Sequence, residues 1–141
     1  MFERCLYFNA NALTRRVNRE WERAYGEVGL SPSHAYLLRL ILAQPGLTQK
    51  QIAAELRLEK STVTRFIDAL EGRGYLRRVR SSKDDGRMLH VAPTAKARRL
   101  QPRLEEIGEQ LYRRMQRLLG REHLGELVAG LRETSSALDE D

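Results

Sequence analysis

Cysteine is nearly absent from this chain: among 141 residues there is only Cys5. One thiol allows neither an intrachain disulfide nor a cysteine-based metal site. His34, His90 and His123 are scattered and show no ligand spacing, so no structural zinc or other metal is expected. No apolar run approaches a bilayer span, and no basic-apolar-small leader follows Met1. The sequence also lacks a nucleophile–base pairing, a glycine-rich phosphate loop, internal repeats and low-complexity segments. These absences argue against an enzyme, a bound cofactor and membrane attachment. They leave a cytoplasmic chain, bacterial or archaeal by default.

What is present is charge, unevenly placed. Charged residues make up 31% of the chain and hydrophobic ones 41%, as in a helix-rich globular protein. The net charge is +6. Between Arg57 and Arg103 thirteen Lys/Arg face five Asp/Glu, a local excess of +8 that leaves the remainder at −2. A basic middle with near-neutral ends is an electrostatic footprint for nucleic acid. Without a motif it would be an ordinary solvated surface.

The motif lies at Leu47 to Thr94. A helix over Lys60 to Arg73 carries Val63, Phe66, Ile67 and Leu70 at i, i+3, i+4 and i+7, one apolar stripe at the helical period. Its other face shows Ser61, Thr62, Thr64, Arg65 and Asp68. Ahead of it Thr48 caps a shorter helix, with Gln51 completing a capping box and Ile52, Ala53 and Leu56 facing inward. Arg57-Leu58-Glu59 makes the turn, with Leu58 expected to be buried. Gly72 and Gly74 end the second helix. A strand over Tyr75 to Arg80, a polar turn over Ser81 to Gly86 and a return strand over Met88 to Ala92 follow. This is a helix-turn-helix with a basic wing.

The flanks are helical. A first helix over Glu3 to Val28 steps through Leu6, Ala10, Leu13, Val17, Trp21, Ala24 and Val28. Tyr7 and Phe8 lie off that stripe, which gives it more apolar surface than one buried face needs. Ser31-Pro32 opens the next helix, with Ala35, Leu38, Ile41 and Leu42 inward and Gln44-Pro45-Gly46 as its stop. Thr94 caps a long helix to about Leu119, in which Pro102 predicts a kink. Leu124, Leu127, Val128, Leu131 and Leu138 mark a last helix. The fold class is mainly α: a winged helix-turn-helix with N- and C-terminal dimerisation helices.

The run Leu47-Thr48-Gln49-Lys50-Gln51-Ile52-Ala53, the run Ser61 to Glu71, Gly74-Tyr75-Leu76-Arg77-Arg78 and Asp85-Gly86-Arg87 together resemble the MarR family of winged helix-turn-helix regulators. The resemblance implies a single domain over 1–141, with a DNA-binding lobe at 30–94 and dimer helices at 1–29 and 95–141. It implies a homodimer on a near-palindromic operator, usually a repressor, often released by a small ligand or an oxidant. A nucleoid-associated, cytoplasmic location follows. Two departures stand out. Val91-Ala92-Pro93-Thr94 should end the second wing strand early, because Pro93 cannot donate to a ladder. Ser135-Ser136 favours fraying of the last helix.

Recognition-helix N-termini reach base edges in the major groove. Ser61, Thr62, Thr64 and Arg65 are the expected base-facing contacts, with Arg65 suited to a guanine; phosphate contact is the alternative for Thr62 and Thr64. Lys60 flanks them. Thr48, Gln49 and Lys50 open the preceding helix, where free N–H groups suit a phosphate, or where capping alone accounts for them. Arg78, Arg80 and Lys83 are expected phosphate contacts. In the resembling family the position of Arg87 enters the minor groove, and Asp85 would brace the wing by pairing with Arg65 or Arg77.

The signal is open between a ligand, an oxidant and none. Trp21, Tyr25, His34, Tyr36 and Arg39 could line an effector pocket, or be plain core. Cys5 could be an oxidant sensor with Tyr7, Tyr36 or His34 beside it, or a small packed residue. A winged helix serving as a protein-interaction adaptor is the remaining competitor, opposed by the polar recognition face.

Overall fold

The computed structural model describes residues 1–80 and 88–139. Among the described residues nine elements follow one another: α1 (Leu6–Gly26), α2 (Pro32–Ala43), β1 (Leu47–Thr48), α3 (Gln49–Leu56), α4 (Lys60–Gly72), β2 (Leu76–Arg80), β3 (Leu89–Pro93), α5 (Ala95–Leu119) and α6 (Arg121–Leu138). They fall into two compact units, Met1–Glu105 and Glu106–Asp141. No helix among the described residues is long and apolar enough to cross a membrane.

In the first unit α2 is the central element. It packs against α1, α3, α4 and β3. Leu37 joins Leu38 and Ile41 in being fully buried, so α2 buries adjacent positions and not the single stripe expected. Neighbours on several sides make a one-sided pattern too narrow a criterion. Ser31 caps α2 by accepting the His34 N–H at 3.2 Å. Ile52, Val63, Ile67, Leu70, Leu76, Val91 and Leu104 complete the core.

Three strands form an antiparallel sheet in the order β1-β3-β2. The sequence shows two of them. The third, Leu47–Thr48, pairs with Val91 and His90 and is too short for any period to register. Thr48 doubles as the N-cap of α3: it accepts the Gln51 N–H at 3.2 Å, and Gln51 Oε1 accepts the Thr48 N–H at 2.9 Å. The capping box is present as expected.

Several expectations need correction. The second wing strand does not end early: β3 runs through Pro93, which pairs with Leu76. The Thr94 N–H donates to Tyr75 O at 3.0 Å. In an antiparallel ladder alternate residues face alternate sides, so residue 93 turns its nitrogen away from β2 and proline removes no bond there. Leu58 is half-buried, not buried, because the turn lies at the surface. Phe66 is half-buried too, and its ring meets the edge of His34 at 4.9 Å. α1 is shorter than expected: the chain before it makes a turn, with the Asn9 amide donating to the carbonyls of Phe2, Glu3 and Cys5. α6 carries through Ser135 and Ser136 to Leu138, where fraying was expected; α5 spans Ala95–Leu119 with Pro102 inside it, as its period predicts.

The second unit holds the end of α5 and all of α6, separated by Gly120 at φ 83°. None of the residues of α6 is buried. Tyr112, Leu118, Val128, Leu131 and Leu138 are exposed, and so are Leu6, Tyr7 and Phe8 of α1 in the first unit.

Thr48→Ala is expected to cost about 1 kcal/mol, the usual loss of a cap. Thr48→Ser should keep most of it; the shift of the urea midpoint measures both.

Candidate nucleic-acid interface

The polar face of α4 is organised by one guanidinium. Arg78 follows Leu76 by two residues, so the pleat turns it to the same side of β2 as that core leucine. Its side chain is only 18% exposed. It donates to Asp68 Oδ1 at 2.6 Å, to Glu71 Oε1 at 2.9 Å and, through Nε, to Gln49 Oε1 at 3.3 Å. The backbone N–H of Arg78 also donates to Glu71 Oε2 at 3.1 Å. Gln49 passes the chain on: its Nε2 donates to Thr64 Oγ1 at 2.9 Å, and that hydroxyl donates to Lys60 O at 2.9 Å. Charge-assisted bonds of this kind fix geometry because each donor direction is used.

This changes the roles read from sequence. Arg78 is not an outward phosphate contact; two carboxylates hold it inside the lobe. Gln49 and Thr64 join α3 to α4, so Thr64 has little beyond its methyl to offer a base. Thr48 is buried, its hydroxyl engaged in the cap. Asp68, expected on the open polar face, is a partner of Arg78.

Left outward are Lys50, Lys60, Ser61 and Arg65, all exposed, with Thr62 half-buried. The side chains of these five make no hydrogen bond or ion pair among the described residues. Ser61 and Arg65 are one turn apart and share a face. Glu59 gives α4 no side-chain cap, so its first N–H groups are open toward that face. Arg80 is exposed and has an interaction of its own. Lys83, Asp85 and Arg87, with the expected turn at Ser81 to Gly86, lie outside the described residues.

The aromatic residues divide. Trp21 Nε1 donates to the Tyr36 hydroxyl at 3.0 Å, and Arg39 donates to the Tyr25 hydroxyl at 3.0 Å while lying over the Tyr36 ring at 5.2 Å. Tyr25 and Tyr36 meet edge-on at 6.0 Å. These four make a packed cluster between α1 and α2. Burial pushes the Tyr25 phenol above its usual pKa, against the opposing charge of Arg39. Tyr36 also borders an open groove of about 250 Å³ with Pro32, Ser33, Leu56 and Leu58. His34 is apart from them, against Phe66 of α4. Cys5 is half-buried at the start of α1. Of its expected neighbours, Tyr7 is 78% exposed, and Tyr36 and His34 are engaged elsewhere.

A helix pair whose second member presents an open N-terminus, backed by a three-stranded sheet with a basic hairpin, defines a winged helix-turn-helix protein. Residues 28–88 match the sequence model of the MarR family. Among solved structures, the transcriptional repressor CouR bound to a 23-mer DNA duplex is 29% identical, with a TM-score of 0.82 over 92% of each chain. The PcaV transcriptional regulator from Streptomyces coelicolor, in complex with its natural ligand, is 23% identical, with a TM-score of 0.85 over 98% of this chain and 96% of that one. MepR of S. aureus, in a DNA complex, is 19% identical, with a TM-score of 0.84 over 96% of this chain and 99% of that one. The last two likenesses establish the fold alone. No curated protein sequence matches the chain.

His34 generates a pH prediction. Burial, and then the charge of Arg73, hold its pKa below the ordinary 6.5. The unfolded chain therefore binds more protons at mildly acid pH, and stability rises with pH in that window. The folded chain should keep this contribution above about pH 6.5 and lose it as pH falls from there to the lowered folded-state value. Melting temperatures against pH should show that decline, and His34→Phe should flatten it.

Arg78→Gln should destabilise the lobe by about 1–2 kcal/mol, since it removes the charge-assisted hydrogen bonds to Asp68 and Glu71. Both carboxylates stay partly in water, 60% and 41% exposed, so the loss falls short of that for a broken buried pair. Denaturant unfolding of the two proteins measures it.

Proposed function

We propose that this chain is a homodimeric, sequence-specific double-stranded DNA-binding regulator that represses by occupying a near-palindromic operator. The observation that carries this is the face of α4: Val63, Ile67 and Leu70 are in the core while Ser61 and Arg65 are exposed, Thr62 is half-buried between them and the N-terminus is uncapped; Lys50 and Lys60 are exposed as well. Ser61 and Arg65 contact base edges; Lys50 and Lys60 neutralise phosphates. Lys83 and Arg87 extend the contact from the wing, and Arg80 adds to the positive potential at its base. CouR and MepR were solved with DNA, which supports the same use of this fold here.

Two copies are needed because a palindrome presents its half-sites about 34–36 Å apart. Leu6, Tyr7 and Phe8 in the first unit, and Leu118, Val128 and Leu131 in the second, supply the apolar area for pairing. One domain over 1–141 then serves as a lobe at 30–94 with dimer helices on either side. The chain works at the nucleoid, in the cytoplasm.

Release comes from a small effector that binds the DNA-free geometry better than the bound one. CouR bound to p-coumaroyl-CoA and PcaV with its natural ligand are precedents among the similar structures. The groove beside Tyr36 is the place for it, with Trp21, Tyr25 and Arg39 as its supporting wall. Cys5 acts as a packed apolar residue in this reading.

The test is a gel shift on genomic and random fragments across salt concentrations. Retained genomic fragments give the operator. On that operator Arg65→Ala should cost about 1–3 kcal/mol, with a smaller loss on random DNA. An equal loss on both would remove Arg65 as a base reader.

A further inference from the structure

Arg57 is the only residue other than glycine with a positive φ among the described residues, at φ 56° and ψ 45°. The other positive-φ positions among the described residues, 29, 46, 74 and 120, all hold glycine. An L-residue there brings its Cβ against the following carbonyl, and glycine does not. The turn itself asks nothing of a side chain. It is closed by backbone alone, with the Leu58 N–H on Ala53 O at 3.0 Å and the Arg57 N–H on Ala54 O at 3.3 Å.

Nor does the Arg57 side chain work inside the lobe. It is exposed and makes no hydrogen bond, ion pair or ring contact among the described residues. A strained conformation kept at a long cation without an internal partner points to a use outside the lobe. Its place narrows that use. It stands two residues before Glu59, the N-cap of α4, and three before Lys60. That is the end of the helix that enters the groove in this class of protein. The opposite sign available there is the sugar-phosphate backbone.

We infer that Arg57 is a further DNA contact, a phosphate-binding residue at the edge of the groove entered by α4; this rests on the DNA-binding reading above. The interaction is electrostatic and carries no base information. It therefore adds affinity for every sequence and steepens the salt dependence.

Arg57→Gly tests this because its two readouts move in opposite directions. Relief of the strained backbone should raise the melting temperature by roughly 2–4 °C. DNA binding should weaken, equally on operator and random fragments. The log–log salt slope should fall by about 0.9 for each phosphate left without its arginine, about 1.8 for a two-fold dimer. The deficit is then about tenfold larger at 50 mM than at 200 mM salt. Arg57→Asn, which tolerates the conformation without glycine's flexibility, should show the same weakening, and Arg57→Lys should keep the wild-type slope. Unchanged affinity and slope in Arg57→Gly, beside a wild type that binds, would overturn this inference alone. A lower melting temperature with an unchanged slope would overturn it too, by making Arg57 a structural residue. A wild type that retains no DNA fragment would overturn both this inference and the regulator reading.

Discussion

The half-buried guanidinium of Arg78 is the constraint on which the helix-turn-helix depends. It sits on the wing strand, yet its bonds go to Gln49, Asp68 and Glu71. One side chain thus fixes β2 against both helices of the helix-turn-helix. A planar fork has fixed donor directions, so it resists rotation as well as separation. Hydrophobic packing of Val63, Ile67 and Leu70 holds α4 in place but is non-directional. The two act together: the stripe supplies attraction, and the polar network supplies the angle at which Ser61 and Arg65 are presented.

Most of the fold is legible in the sequence because its helices obey one period. Val63, Ile67 and Leu70 are buried as their spacing predicts, and Thr48 and Gln51 close the capping box that their separation suggests. What is hidden has identifiable reasons. A two-residue strand has no period, and its partner β3 is non-local. Leu37 is buried because α2 is enclosed by several neighbours, which no single helix pattern encodes. The turn at Leu58 depends on what packs over it, not on its own hydrophobicity.

The candidate site is less legible, for a reason of sign. An outward polar residue and an internally bonded one look the same in sequence. Asp68, Thr64 and Gln49 resemble solvent-facing groups until Arg78 is placed among them. The sequence does hold one clue: Arg78 lies two residues after Leu76, which puts it on the buried side of the strand. The αL conformation of Arg57 has no sequence signal at all, since glycine is the residue that normally marks it.

Thr94 carries a mechanical consequence. Its N–H ends the wing ladder on Tyr75 O, while its hydroxyl donates to Gly74 O and accepts the Ala97 N–H of the first turn of α5. Strand and helix therefore meet at one residue, with no loop to absorb slack. Lys96, in that same first turn, grips Arg73 O and lies over the Tyr75 ring, so the joint is pinned twice. A rotation of that first helical turn is transmitted to the wing as from a crank to its shaft.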